Sequence, residues 1–235
     1  MSHASSPAVY LVAGCHPWSR RAFDAVIRHY PGEWHFVDHR ENLMLENIQL
    51  LHPRAIFFLH WSWKVPDEII EAYECINFHM TDVPYGRGGS PLQNLILRGH
   101  ATTKVSALRM TRELDAGPVY CKADLSLVGS AQEILERAST VSASMIEKII
   151  RERPEPISQQ GEVVLFKRRT PAESALSPGM TPAQLYNFIR MLDADGYPRA
   201  FLESGGFRYE FCDAILYDGT VEANVRITLS EPSLS

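Results

Sequence analysis

Apolar residues run almost unbroken from Ala8 to Ala13 and stop at Gly14, which predicts a short strand buried on both faces. Ala22, Phe23, Val26, Ile27 and Tyr30 then recur at helical spacing, so residues 19–30 are expected to form a helix. A weaker strand over 35–37 and a helix near 41–51 follow. Arg54–His60 (Arg-Ala-Ile-Phe-Phe-Leu-His) is the clearest buried strand of the chain. Pro66 opens a brief helix reaching Glu71, and Ile76–His79 returns to strand. Strands alternating with helices imply right-handed crossovers and a mostly parallel sheet, whose ligands sit at the carboxyl ends of the strands. His79 and the run Trp61-Ser62-Trp63-Lys64 both fall at such ends.

Three later helix starts share one pattern. Ser90-Pro91-Leu92-Gln93, Ser130-Ala131-Gln132-Glu133 and Thr181-Pro182-Ala183-Gln184 each fit a capping box, two with proline at the first helical position. The first helix is expected to stop at Gly99, the second near Arg151 and the third at Leu192. Pro154 and Pro156 close the α/β portion. After them, Glu162–Arg168 reads as a strand, 169–180 as a loop, and Phe207–Cys212 and Val221–Ile227 as strands, with Asp218-Gly219 a turn. The expected division is a core over 1–160 and a small β-rich α+β extension over 161–235.

Composition narrows the function classes. With 235 residues, 45% hydrophobic and 22% charged, the chain buries an ordinary globular core. The formal charge is −5 and the basic residues are scattered apart from Lys167-Arg168-Arg169, which argues against a nucleic-acid partner. Four widely spaced cysteines (Cys15, Cys75, Cys121, Cys212) suit reduced thiols, and Met1–Pro7 lacks the basic residues of a signal peptide. With no membrane span expected either, the reading is a cytoplasmic protein. No metal is expected.

Candidate chemistry concentrates at Asn77 and His79. In an extended segment they project to one face while Ile76, Phe78 and Met80 point to the other. An amide donor beside an imidazole suits acyl-group transfer: one steadies a developing oxyanion, the other moves a proton. Pro84-Tyr85-Gly86-Arg87-Gly88-Gly89-Ser90-Pro91 is a glycine-rich loop entering a helix, and it lacks the lysine and spacing of a Walker loop. Asp115-Ala116-Gly117-Pro118 follows 38 positions after Asn77 and could bring a carboxylate to the imidazole.

The ordered set Asn-x-His, Pro-x-x-Arg-Gly-x-x-Pro and Leu-Asp-x-Gly-Pro resembles the folate-dependent formyltransferase family, over about residues 8–170 and most strongly from Ile76 to Val119. The resemblance implies a Rossmann-like α/β core, a mostly parallel sheet with flanking helices, and 10-formyltetrahydrofolate as formyl donor. It implies Asn77, His79 and Asp115 as the catalytic trio. Asn77 would hold the oxyanion, His79 would act as base toward the acceptor amine, and Asp115 would orient and charge-tune His79 or order a proton-carrying water. Trp61, Ser62, Trp63 and Lys64 occupy the place where the family clasps the pterin, with Arg112 and Leu114 closing the pocket. Many family members carry a histidine shortly before the Asp-x-Gly loop; Val105–Met110 here has none.

The tail bears on the acceptor. Gln184–Leu192 followed by Pro198-Arg199-Ala200-Phe201 looks like the post-core helix and Pro-x-x-Ala-Phe turn of methionyl-tRNA and sugar formyltransferases, but only 74 residues follow Gly161. That length and the acidic charge favour a small, nucleotide-linked aminosugar over tRNA. Phe78–Asn94 also looks like formyltransferase-like proteins of bacterial nonulosonic-acid and surface-glycan pathways. Met80, Tyr85, Gly86, Arg87, Gly88, Gly89, Gln93, Asn94 and Tyr186 are the expected substrate contacts. A tRNA enzyme, a formyltetrahydrofolate hydrolase and a non-catalytic folate or nucleotide-sugar binder are the alternatives. Apolar residues in the short tail point to a homodimer.

Overall fold

A computed structural model describes residues 7–230. The segment Met1–Ser6, most of the run read above for a signal peptide, lies outside the described residues. The elements in order are β1 (Val9–Ala13), α1 (Pro17–Ala25), β2 (Glu33–Val37), α2 (Leu45–Leu51), β3 (Ala55–Phe58), α3 (Asp67–Ala72), β4 (Cys75–His79), β5 (Tyr85–Gly88), α4 (Pro91–Leu97), β6 (Thr102–Arg109), β7 (Val119–Ser126), α5 (Ala131–Glu152), β8 (Val164–Phe166), α6 (Pro182–Arg190), β9 (Ala200–Ser204), β10 (Phe207–Tyr217) and β11 (Thr220–Leu229). They form two compact units. Among the described residues, one comprises 7–88, 103–125 and 136–165, the other 89–102, 126–135 and 166–230.

The first unit is built on a six-stranded sheet of order β2-β1-β3-β4-β6-β7. β1 runs parallel to β2 and β3, β3 runs parallel to β4, and β6 is antiparallel to β4. The mostly parallel Rossmann-like sheet with flanking helices is therefore present, carrying a strand at 102–109 that the apolar pattern does not announce. β6 begins Thr-Thr-Lys, and its apolar run is confined to the stretch beside β4, where Val105, Ala107 and Leu108 are buried.

Both faces of this sheet are covered, as parallel sheets require. Leu11, Ala13, Ile56, Phe58 and Cys75 form one face and pack with Ile48 of α2 and Ile69 of α3. The alternate residues form the other, where Tyr10 meets Phe57 tilted at a centroid distance of 6.1 Å and Phe57 stacks on Phe78 at 6.3 Å. Asn77 and His79 share the face of Cys75, because side chains alternate along β4.

Several local expectations are corrected. The helix over 19–30 is α1 followed by a 3-10 turn at Ile27–His29, and the helix near 41–51 is a 3-10 turn at Arg40–Asn42 followed by α2. The glycine-rich loop is partly extended, since Tyr85–Gly88 is a strand and Val164 N donates to the Pro84 carbonyl at 3.2 Å. Ser90 makes no capping box: it sits at φ +50°, and its hydroxyl accepts from Arg169 N at 3.0 Å instead. The boxes at Ser130 and Thr181 do form.

In the second unit, β9, β10 and β11 make an antiparallel sheet of order β11-β10-β9. Ala200-Phe201, read as a turn, begins β9, and β10 runs on to Tyr217 past an irregularity between Cys212 and Ile215. All four cysteines are free. No helix among the described residues is long and apolar enough to cross a membrane.

Ile56, fully buried at the centre of the first sheet, reports on this packing. Ile56→Ala should lower unfolding free energy by about 2–5 kcal/mol in urea titration. A loss below about 1 kcal/mol would show that β3 is not the sheet's packed centre.

Candidate functional site

β4 ends at His79, and its pleat sets Asn77 and His79 side by side at the carboxyl end of the sheet. The chain then turns through a cis Val83–Pro84 peptide into β5. Thr81 Oγ donates to the Gly86 carbonyl at 3.2 Å, Ser106 Oγ donates to the Thr81 carbonyl at 2.7 Å, and Lys122 Nζ donates to the Val83 carbonyl at 2.6 Å. This segment is therefore held at several points along its length. Gly86 and Gly88 take φ of +78° and +105°, which places backbone groups toward the strand end where an ordinary side chain would be strained.

One carboxylate gathers the pieces. Asp115 Oδ1 accepts from Asn77 Nδ2 at 3.1 Å, and Asp115 Oδ2 accepts from Gly88 N at 3.0 Å and lies 3.5 Å from His79 Nδ1. The His79 and Asp115 side chains are only 8% and 5% exposed, so these charges and dipoles act with little solvent screening. His79 Nε2 lies 2.7 Å from the Gly86 carbonyl. A carbonyl can only accept, so Nε2 carries the proton, and Nδ1 is the ring atom left to bind a second one. Asn77 has two amide hydrogens, one of which is engaged by Asp115, leaving one for a ligand oxygen.

The Asp115 loop has its own supports. Asp115 sits at φ +52°, a left-handed conformation that aspartate tolerates better than most residues. Gln159 Nε2 donates to both the Asp115 and the Gly117 carbonyls at 2.8 Å, while its Oε1 accepts from Arg87 Nε at 3.0 Å. A Cβ at Gly117 would lie 1.7 Å from the Arg109 carbonyl oxygen. The glycine two positions after Asp115 is thus a steric requirement of this turn.

The other expected residues fall as follows. Trp61 and Trp63 meet edge to face at 5.0 Å after β3, and Trp61 Nε1 is buried with no hydrogen-bond partner. Ser62 Oγ lies 3.2 Å from His16 Nε2, which ties this segment to the end of β1. Nearby His60 is held neutral, its pKa lowered to about 3 by burial and then by the neighbouring His16. Lys64 is exposed and pairs with Asp67 at 3.1 Å. Arg112 is exposed and pairs with Glu71, and Leu114 is exposed. Met80 is buried, and Arg87 points its head toward Glu113 at 3.6 Å.

Gly89, Gln93, Asn94 and Tyr186 belong to the second unit. Gln93 Nε2 donates to the Met191 carbonyl at 3.1 Å, and Asn94 Nδ2 lies within 3.2 Å of the Gly89, Ser90 and Lys167 carbonyls. Both are buried, and their amide donors hold their own unit together. Tyr186 lies against the Arg190 guanidinium at 5.5 Å.

Residues 171–228 match the family described as methionyl-tRNA formyltransferase, C-terminal domain. A solved structure described as methionyl-tRNA formyltransferase from Clostridium thermocellum is 39% identical, with a TM-score of 0.90, covering 95% of this chain and 100% of that one. The chain belongs to the formyltransferase family. Methionyl-tRNA formyltransferase of Bacillus thuringiensis is 29% identical over 176 residues, 71% of this chain and 55% of that protein. The chain thus spans about half the length of the curated relatives it matches. HypX of Aquifex aeolicus, solved with tetrahydrofolic acid, shares the fold at 18% identity and a TM-score of 0.72, over 89% of this chain and 38% of that one.

In this member of the family, Gln159 is a site neighbour that sequence reading passes over. It lies in 157–161, a stretch with no periodicity, and only its contacts reveal it. Gln159→Ala should leave the fold intact but release the Asp115 turn and cost about tenfold or more in turnover, with less effect on donor binding. Unchanged turnover in a folded variant would make Gln159 a bystander.

Proposed function

We propose that this formyltransferase moves the formyl group of 10-formyltetrahydrofolate to the amine of a small aminosugar, nucleotide-linked, in the cytoplasm. The joined trio Asn77–Asp115–His79 carries the reading. The folate supplies an activated formyl carbon. The buried, unpaired Trp61 Nε1 suits a flat heterocycle with ring acceptors, and the Trp61–Trp63 pair supplies an apolar wall.

The chain's own groups account for the rest. An ammonium is no nucleophile, so the acceptor must lose a proton before it attacks. His79 takes that proton at Nδ1, and the Asp115 carboxylate stabilises the resulting imidazolium. The remaining amide hydrogen of Asn77 is donated to the oxyanion of the tetrahedral intermediate, whose collapse breaks the bond between the formyl carbon and the folate nitrogen, and the leaving nitrogen takes the proton that His79 holds. A base so placed contributes about 10²–10⁴ in rate.

The acceptor reading rests on charge. From Lys167 onward the chain carries seven Lys and Arg against nine Asp and Glu, a poor footprint for a phosphate backbone. The match of residues 171–228 to a methionyl-tRNA formyltransferase domain favours a second reading, in which the amine is that of methionyl-tRNA.

Incubation with 10-formyltetrahydrofolate and either nucleotide-linked aminosugars or methionyl-tRNA, read by mass, should show a formyl gain on the sugars. Gain only on the tRNA would establish the second reading, and formate without any formylated amine would make the protein a hydrolase. His79→Ala should lose about 10²–10⁴ of the transfer rate while still binding folate; near-normal turnover would remove it as the base.

We further infer a homodimer through β11, an unpaired edge strand. Val225, Ile227 and Leu229 expose 46%, 57% and 76% of their surface on one face of it. Antiparallel pairing of two copies about Asn224 would set Glu222 opposite Arg226 of the partner subunit, twice. A dimeric mass in solution is expected. Arg226→Glu should shift it to monomer, and adding Glu222→Arg should restore the dimer; a monomeric starting protein would end the idea.

A further inference from the structure

The first unit holds a cavity of about 300 Å³ at the opposite end of its sheet from His79. Its floor is Tyr10, Ala55, Phe57 and Ile76, residues of the amino-terminal ends of β1, β3 and β4 on the face away from Asn77 and His79. The end of α5 and the following Arg153–Pro156 segment form a wall. Nothing in the formyl-transfer chemistry uses this space.

The rim is chemically specific. Arg54, Arg109 and Arg153 line it, from the start of β3, the end of β6 and the turn after α5. Among the described residues no ion pair or side-chain hydrogen bond engages any of these three guanidiniums. Chains normally disperse or pair such charges, and three converging on one concavity make an anion-attracting field. Two carboxylates share the rim, Glu74 and Glu155; Glu74 Oε1 is engaged by the Tyr120 hydroxyl at 2.7 Å. The second oxygen of Glu74 and the Glu155 carboxylate are acceptors that a ligand's hydroxyls could meet.

We propose that this cavity binds a small phosphorylated polyol, its phosphate gripped by Arg54, Arg109 and Arg153 and its hydroxyls facing Glu74 and Glu155. Guanidiniums match phosphate oxygens through paired N–H donors, which a carboxylate-rich rim would otherwise repel. The volume is at the lower end for ligand pockets and suits a monosaccharide phosphate. The apolar floor of Phe57 and Ile76 would receive the carbon face of the ring. Arg109 also contacts the Asp115 turn through its backbone: its N–H donates to the Pro118 carbonyl at 2.9 Å, and its carbonyl packs against Gly117. A ligand here would therefore touch a residue that helps seat the catalytic carboxylate.

The test is calorimetric titration of the whole protein with glucose 6-phosphate and, separately, inorganic phosphate at low ionic strength, where screening is least. The sugar phosphate should bind saturably and more tightly than inorganic phosphate, because only it reaches Glu74 and Glu155. Arg54→Ala, Arg109→Ala and Arg153→Ala should each weaken it about tenfold or more. Arg151→Ala, near the end of α5 but paired with Glu147, and His79→Ala should leave the affinity within about twofold of the parent. Arg109→Lys serves if Arg109→Ala does not fold, and should still weaken binding because the paired donors are lost. No saturable binding, binding indifferent to the arginines, or binding abolished by His79→Ala would each overturn the proposal.

Discussion

The Asp115 carboxylate is the constraint on which the rest of the site depends. A buried carboxylate must be met by donors, and here they come from a strand side chain and a loop backbone amide, with an imidazole edge beside them. That requirement brings together β4, the glycine-rich segment and the turn at 115–117. It also explains features that look unrelated along the chain. Gly88 must leave its N–H free to turn inward, Gly117 must be without a side chain to pass the Arg109 carbonyl, and Asp115 itself must adopt a left-handed backbone. A non-glycine residue held there costs about 1–3 kcal/mol, and Gln159 offsets it by binding the carbonyls on either side of Ala116.

Strand β4 organises the first unit in a second way. Its odd positions, Cys75, Asn77 and His79, change from packing to chemistry along one face, while Ile76 and Phe78 remain wholly apolar on the other. A single five-residue strand thereby separates a polar site at one end from an arginine-rimmed cavity at the other. The alternation that makes strands easy to read in a sequence is also what gives the two covered faces of the sheet different chemistry.

Much of this was legible in the sequence. Apolar runs located β1, β3 and β4, because strands buried on both faces cannot hide their composition. The Asn77–His79 pair and the Asp115 loop followed from spacing and from family resemblance. β6 was missed because its first residues are polar, and the Ser90 cap failed because the hydroxyl is claimed by Arg169, which no local window sees. Gln93 and Asn94 satisfy backbone carbonyls of distant segments, a role that polar residues beside a glycine loop do not announce in sequence. Gln159 had no local signal at all. Such residues act through long-range contacts, and the sequence records only that they are polar.

The two oxygens of Asp115 also act as a gauge. One is bonded to the amide that would meet an oxyanion, the other faces the ring nitrogen that would take an amine's proton. The spacing between two oxygens on one carboxyl carbon closely matches the spacing between the oxygen and nitrogen on one tetrahedral carbon. The carboxylate thus reaches the amide donor and the ring nitrogen from one carbon, through a separate oxygen for each. A neighbouring side chain with one oxygen could hold either partner in place, but it could not engage both through separate atoms.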